Sequence, residues 1–181
     1  MAIRDILEAP DPFLRTISKP VEAVDDNVRT LIADMFETMY HAPGIGLAAI
    51  QIGVPQRVLV IDLQRPDVDA AAEGEEPPTL REPRVFINPV VTWESEEYTS
   101  YNEGCLSVPE LYGDVERPSR IRATWLDVDG AEHNEEIDGL MATCLQHEMD
   151  HLNGVLFYDH LSKLKREMMV KKLIKAQRKA A

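Results

Sequence analysis

The sequence predicts an α+β fold in which antiparallel or mixed β-sheets pack around a central metal-binding helix, with an N-terminal and a C-terminal helix. Helical apolar spacing occurs before, and again after, a series of β-branched runs. A metal-ligand pattern lies in the second of these helical stretches. The 181 residues, 44% hydrophobic and 28% charged, are typical of one ordinary globular domain.

The first helix is predicted in the stretch DDNVRTLIADMFETMYHAPG, residues 25–44. Asp25 or Asp26 can cap its start, and Pro43 with Gly44 ends it. The apolar side chains share the spacing of one buried stripe: Val28, Leu31, Ile32, Met35, Phe36, Met39 and Tyr40.

The middle of the chain predicts strands and turns. GIGLAAIQIG (residues 44–53) contains three glycines and no helical stripe, which indicates a tight loop leading into a short strand. Residues 64–83 are acidic and rich in proline, as in a long surface loop. Asp129–Gly130 is a hairpin turn. Three β-branched and aromatic runs predict strands: RVLVIDL (57–63), RVFINPVVTWE (84–94) and IRATWLDV (121–128).

The helical period returns at Asp138, and Gly154 can end this second helix. Its buried stripe mixes apolar and ionisable residues, with His147 at the edge: Ile137, Leu140, Met141, Cys144, Leu145, Glu148, His151 and Leu152. A last amphipathic helix is predicted from about Leu161 to the end of the chain.

The stretch CLQHEMDHLNG (residues 144–154) gives the second helix its chemistry. A helix rises about 5.4 Å per turn, so residues four apart lie above one another on one face. His147 and His151 can therefore ligate one ion at about 2.0–2.1 Å. Glu148 then lies beside the ion, where its carboxylate can bind a water molecule.

An alternative is that both histidines are ordinary hydrogen-bonded helix residues and Glu148 is a surface charge. Burying such groups without partners costs about 1–3 kcal/mol each, or more. A metal ion removes that cost for all three groups at once, so the pattern favours a metal site.

The third ligand is not supplied by the two common peptidase patterns. One needs a histidine ten residues after His147, where this chain has Phe157. The other needs a glutamate about twenty residues after His151, where the chain has Lys171. Neither class of peptidase fits.

Cys105, in YNEGCLSVPE, is the better candidate, because a thiolate is a strong ligand for divalent transition metals. Cys144 is the rival thiol. It lies seven residues from His151, roughly 10 Å along the helix axis, which favours a place in the pocket wall. Two histidines and one cysteine leave a coordination position open for water, as in catalytic sites, and Glu148 is placed to act as the base.

Charge and composition restrict the partners. The net charge is −13, yet residues 161–181 carry eight lysines and arginines against Glu167 alone. Such a basic segment suits a polyanionic partner, and a solvated helix face is the alternative. Two cysteines do not make a disulfide framework. The start of the chain has no run typical of a signal peptide, and no stretch approaches the roughly 20 apolar residues of a membrane span. A cytoplasmic protein that binds neither membrane nor DNA is expected.

Three stretches, GIGLAAIQIG, EGCLSVP and QHEMDHLNG, resemble the three motifs of peptide deformylases, in the same order. The resemblance extends from the helix before residue 44 to at least residue 160, and the C-terminal helix is similar to that of bacterial members. It implies a single catalytic domain, residues 1–181, with 161–181 as its basic C-terminal helix. This domain would remove the formyl group from formylmethionine at the start of newly made proteins.

The resemblance also implies roles for individual residues. It assigns the metal to Cys105, His147 and His151, and the general acid/base to Glu148. The side-chain amide of Gln51 and the backbone N–H of Leu106 would stabilise the oxyanion. Residues implied in substrate binding, through an extended-strand contact and a methionine pocket, are Ile45, Gly46, Gly104, Leu140, Thr143 and Cys144.

The implied cofactor is one divalent metal ion, ferrous iron natively, with zinc, nickel or cobalt as replacements during preparation. An iron–thiolate site should be sensitive to oxygen. The implied partners are N-formylmethionyl nascent peptides and, through residues 161–181, the ribosome. Two other functions stay open: a peptidase with the same metal core, and a non-enzymatic module with a structural metal and an RNA-binding C-terminal segment.

Overall fold

The computed structural model describes residues 2–181 and contains three α-helices and nine β-strands. The helices are α1 (Asp26–His41), α2 (Gly139–Leu152) and α3 (Lys163–Ala180). The strands are β1 (Gly46–Ala48), β2 (Val58–Ile61), β3 (Arg65–Pro66), β4 (Thr79–Leu80), β5 (Arg84–Glu94), β6 (Tyr98–Cys105), β7 (Val108–Pro118), β8 (Arg120–Leu126) and β9 (Glu132–Asp138). Short 3₁₀-helices span Pro12–Arg15, Ala49–Ile52 and Phe157–His160.

The main sheet is antiparallel, with strand order β1-β2-β5-β8-β9, and it lies between α1 and α2. Successive side chains of a strand point to opposite faces, and β2 shows this clearly. Leu59 and Ile61 pack in the cluster that includes α2, whereas Val58 and Val60 pack in the cluster that includes α1. All four side chains are fully buried, because both faces of the sheet are covered by helices.

A second sheet is the long hairpin of β6 and β7, which ends in a tight turn where Cys105 pairs with Val108. A third apolar cluster lies beside it and includes Val108, Phe157 and, from α3, Leu173. Leu173 is the one buried residue of α3, so a narrow stripe of side chains attaches this helix to the rest of the protein.

The structure confirms the α+β prediction and most predicted elements. Asp25 caps α1 by accepting a hydrogen bond from the Val28 N–H. The three predicted strands correspond to β2, β5 and β8, and the turn at Asp129–Gly130 connects β8 to β9. In residues 44–53, the short strand comes first, as β1, and the Ala49–Ile52 3₁₀-helix follows it.

The acidic segment at residues 64–83 is a loop with one short pairing inside it, between β3 and β4. Asp62 fixes the base of this loop by accepting hydrogen bonds from the N–H groups of Gln64 and Glu82. Among the helices of residues 2–181, none is long and apolar enough to cross a membrane.

The turn after α2 offers a test of the fold. Gly154 has a left-handed backbone (φ 72°), and a Cβ atom there would overlap the backbone carbonyl of Arg15. Gly130 has a similar φ of 80°, but its nearest neighbours are 4.0 Å from such a Cβ, on Val24. Left-handed backbone costs a non-glycine residue about 1–2 kcal/mol, and overpacking adds about 1–3 kcal/mol.

We therefore expect Gly154→Ala to lower the free energy of unfolding by about 2–5 kcal/mol, and Gly130→Ala by only about 1–2 kcal/mol. Urea denaturation of both variants measures the difference. Equal losses would show that the chain moves away from Arg15 without cost.

Candidate metal centre and active site

Cys105, His147 and His151 form one cluster, with a ligand atom from each lying within 4.8 Å of the other two. Cys105 Sγ is 3.3 Å from His151 Nε2. A sulfur and a nitrogen bound to one tetrahedral zinc ion at the usual bond lengths are about 3.5 Å apart. The spacing thus fits a shared ion, and the thiol and imidazole groups suit a divalent transition metal.

Two elements supply these ligands. His147 and His151 are one turn apart on α2, whose stripe faces the main sheet, and Cys105 is the last residue of β6. The tight turn after Cys105 and the burial of Val108 place the sulfur over the helix. Cys144 is buried in the cluster between α2 and the sheet, and burial raises the pKa of its thiol to about 12. It therefore stays protonated, as expected of a wall residue.

A buried ionic network orients His147. Its Nδ1 is 2.7 Å from Glu103 Oε1, so its Nε2 is left for an ion. Arg117 donates two hydrogen bonds to Glu103, from Nε at 2.7 Å and from Nη2 at 3.0 Å. Arg117 Nη1 also donates to Asp150 Oδ2, which lies 2.7 Å from His160 Nε2. A carboxylate behind a ligating imidazole fixes the ring orientation.

The electrostatics of the two imidazoles differ. Burial opposes a charge on His147, but its hydrogen bonds to Cys105 and Glu103 outweigh this and raise its pKa. Burial lowers the pKa of His151 well below its usual value, with His147 adding to the effect. His151 is thus neutral, with a free lone pair, while the surroundings of His147 favour positive charge. A bound cation satisfies both preferences.

Glu148 is 5% exposed, and its Oε2 has no hydrogen-bond partner within residues 2–181. Its other oxygen lies against Gly46, where a Cβ atom would be 2.5 Å from Oε1. Burial raises the pKa of Glu148 to about 7, partly countered by the nearby His147. A buried carboxyl group with a pKa near neutrality can both accept and return a proton.

Gln51 is fully buried beside this cluster, and its amide is fixed at both ends. The oxygen accepts from the Ala48 N–H at 2.9 Å, and the nitrogen donates to Ser107 Oγ at 3.0 Å. The same nitrogen lies 3.6 Å from Cys105 Sγ, so a donor faces the metal side of the site. Leu106, in the turn after Cys105, lines the same cavity.

A cleft of about 430 Å³ opens onto the cluster. This volume is typical of small-ligand sites. Of the residues predicted to bind substrate, Ile45, Gly46, Gly104, Thr143 and Cys144 line it, together with Cys105, Gln51, His147 and Glu148. Leu140 is placed differently: it is partly buried against the apolar cluster under α2 and is not part of the cleft wall that the described residues form.

Several residues in and beside the cleft are not among those predicted from the sequence. Glu103 forms an ion pair with Arg117, and neither residue is among those predicted for the site. Ser107, the partner of Gln51, was not predicted. The direction of the Glu103 side chain does not follow from its place two residues before Cys105, because the register of β6 and β7 shifts between these two residues. Other unpredicted wall residues are Tyr101, Asn102, Pro109, Glu110 and Tyr112.

Glu103→Gln should weaken metal binding about 10–100-fold, because the neutral amide orients the His147 ring and supports its basicity less well. Chelator competition on metal-loaded protein measures this. Glu135→Gln is the matched control, because Glu135 also pairs with an arginine, Arg84, but at the surface. Equal affinity in the two variants would show that the network behind His147 has no influence on the ion.

Comparisons with known proteins agree with this geometry. The polypeptide deformylase family model matches residues 3–167. The peptide deformylase of Rhizorhabdus wittichii is 70% identical over 178 residues, covering 98% of this chain and 97% of that protein. The peptide deformylase of Novosphingobium aromaticivorans is 64% identical, with full coverage of both chains.

Solved structures show the same fold. The crystal structure of peptide deformylase from Ehrlichia chaffeensis superposes with a TM-score of 0.88 at 41% identity, covering 99% of both chains. A structure of the Ehrlichia enzyme in complex with actinonin gives a TM-score of 0.86 at 42% identity, covering 98% of this chain and 99% of the other. The chain therefore belongs to the peptide deformylases, metallohydrolases that remove the N-formyl group, and it carries the metal site of Cys105, His147 and His151.

Proposed function

We propose that residues 1–181 act as one catalytic domain on N-formylmethionyl nascent peptides, with the roles that the cluster geometry supports. Cys105, His147 and His151 hold the ion, and Glu148 transfers the proton. The amide of Gln51 and the N–H of Leu106 stabilise the oxyanion. The observation that carries the proposal is the unpartnered Glu148 oxygen, buried beside three convergent metal ligands.

A divalent ion at this site supplies Lewis acidity, which lowers the pKa of water and polarises a carbonyl group. Glu148 accepts the proton of the attacking water, and its raised pKa allows it to return the proton to the leaving nitrogen. Gln51 needs no reorganisation to donate a hydrogen bond, since its amide is already fixed by Ala48 and Ser107.

The substrate chain pairs with the free edge of β1. That strand lies at the edge of the main sheet, and within residues 2–181 it pairs with β2 alone. Apart from the Ala48 N–H, which donates to Gln51, its outer backbone groups can bind an extended peptide. Ile45 and Gly46 line the cleft at this edge, and Thr143, Cys144 and Gly104 also line it. The methionine side chain of the substrate binds among the apolar groups of the cleft, and Leu140 packs against the apolar cluster that includes Cys144.

The native ion is ferrous iron in this proposal, with zinc, nickel and cobalt as substitutes, because thiolate and imidazole ligands accept all four. Protein purified without oxygen should carry one equivalent of iron and hydrolyse a formyl-Met peptide. The same peptide with a free N-terminus should stay intact. Cleavage of the free peptide would favour a peptidase. Metal-loaded protein that cleaves neither the formylated nor the free peptide would favour a non-enzymatic module with a structural metal.

The ribosome is the second proposed partner, through α3, in the cytoplasm where nascent chains are made. Lys163, Lys165 and Arg166 begin a series of cations that runs to Lys179 along an exposed helix. Only a narrow stripe around Leu173 is committed to the protein body, so most of the helix surface is free for a polyanion.

Deleting residues 161–181 should lower ribosome affinity in a salt-dependent way, but it also removes Leu173 from its cluster. The cleaner variant replaces Lys171, Lys175 and Lys179 with glutamine. Its slope of log affinity against log salt should fall by about one for each lost phosphate contact. Ribosome co-sedimentation at several salt concentrations measures this slope. The control is a variant in which Arg84, Arg120 and Arg122, all outside α3, are replaced with glutamine. Unchanged slopes would reject α3 as the anchor.

A further inference from the structure

A second cavity lies beside the cleft, behind a ridge formed by Pro109 and Glu110. Its volume is about 460 Å³, similar to that of the cleft, and the two ridge residues line both spaces. The ridge is the first part of β7, directly after the turn that carries Leu106. The second cavity is therefore an extension of the cleft across one short piece of strand.

Three elements enclose the second cavity. The segment before the first 3₁₀-helix supplies Glu8 and Ala9, and the Ala9 N–H donates to the Ser107 carbonyl at 2.7 Å, which fixes this wall to the active-site turn. Ala9 and Leu173 are buried, so the floor is apolar. The remaining lining comes from β7 and α3: Leu111, Lys172, Ala176, Gln177 and Ala180.

The ridge is close to the metal ligands. Cys105 pairs with Val108, about 5 Å away across the hairpin, and Glu110 lies two residues, or about 7 Å, further along β7, which puts it about 9 Å from Cys105. An extended peptide with its first residue at the metal site reaches that distance in about two to three further residues. Glu110 also has a left-handed backbone (φ 62°), a strained conformation that is common at ligand-binding sites.

We propose that the second cavity binds the part of the substrate that follows its first three or four residues, and that it prefers an apolar side chain there. The inference rests on the proposed function, because the formyl end must lie at the metal site. Glu8, Glu110 and Lys172 also line the cavity, so charges of both signs stand around its apolar floor, and the preference that we propose rests on that floor.

Three substrates test this: a formyl-Met tripeptide, an octapeptide that extends it with leucine at positions 5–7, and the same octapeptide with serine there. The leucine peptide should show kcat/KM about threefold to tenfold above the tripeptide, as expected for partial burial of one leucine side chain. The serine peptide should match the tripeptide. Comparison of the two octapeptides separates apolar binding from chain length.

Ala176→Trp, which fills the cavity from α3, should abolish the leucine gain and leave tripeptide turnover unchanged. Met168→Trp is the matched control, because Met168 is exposed on the same helix outside the cavity, and it should keep the gain. If Ala176→Trp disturbs folding, as a loss of tripeptide turnover would show, Ala180→Trp one turn later replaces it.

The inference is overturned if Ala176→Trp still has a higher kcat/KM for the leucine octapeptide than for the tripeptide. It is also overturned if the parent protein shows no such difference. Tripeptide turnover is the separate check on the proposed function, because it needs the metal site but not the second cavity. A parent protein that hydrolyses none of the three peptides would therefore refute the proposed deformylase activity.

Discussion

Glu148→Ala should lower kcat for a formyl-Met peptide by about 10²–10⁴-fold, the usual contribution of a positioned general acid/base, and should keep its metal. The metal stays because the three ligand atoms come from other residues. The rate falls because no other described group next to the cluster combines burial, a free oxygen and a pKa near 7. Metal content and kcat are measured on the same preparation.

Glu148→Gln separates proton transfer from packing. The glutamine side chain has the same shape and also fits against Gly46, yet it cannot accept the proton of water. We expect it to be nearly as inactive as the alanine variant. Full activity in either variant would remove Glu148 from the mechanism, and loss of the metal in both would make it a ligand.

The sequence predicts the helices and the main sheet because their periods are set by burial. In α1, the buried residues Val28, Leu31, Ile32, Met35 and Met39 follow the helical spacing that was read from the sequence. The hairpin of β6 and β7 was missed for the opposite reason. The first five residues of β6 are exposed, so its side chains do not alternate between apolar and polar. Its strand conformation comes from pairing with β7, which a local pattern does not report.

The candidate site divides in the same way. His147, Glu148 and His151 were predictable because helix geometry alone brings them together. The approach of Cys105 to α2, and of Gln51 to Ser107, depends on where a turn places the chain in space. Cys105 was selected from the ligand chemistry of a thiolate, and Gln51 came from the resemblance to the family. No periodicity would have shown that either residue approaches its partner. The second cavity joins α3 to residues more than 60 positions earlier and is invisible in the sequence for that reason.

The ion pair behind His147 stabilises the site as well as orienting the ligand. Glu103 and Arg117 come from neighbouring strands and are nearly fully buried, at 3% and 5% side-chain exposure. Removing one partner of a buried pair typically costs about 3–5 kcal/mol. The site is therefore rigid on the side of the ligands, while its other wall, at β1, is a free strand edge open to substrate.

Cys105→Ala should lose the metal, and with it the deformylase activity. Removing the sulfur leaves two imidazoles, and the loss of affinity should exceed the 10–100-fold typical of an outer hydrogen-bond partner. Metal analysis after dialysis, with activity measured at added metal, quantifies the effect. The thiolate is the one ligand that α2 does not supply, so no other described group compensates for it.

Cys144→Ala is the matched control, since both variants remove one sulfur atom from the walls of the same cleft. Cys144 faces the apolar cluster, and its pKa of about 12 keeps it a neutral thiol. We expect this variant to keep one equivalent of metal and to lose about 1 kcal/mol of stability. Metal retained by Cys105→Ala and lost by Cys144→Ala would mean that α2 supplies the sulfur, and Cys105 would then be a wall residue. The distance of 3.3 Å between Cys105 Sγ and His151 Nε2 favours loss of the metal in Cys105→Ala and its retention in Cys144→Ala.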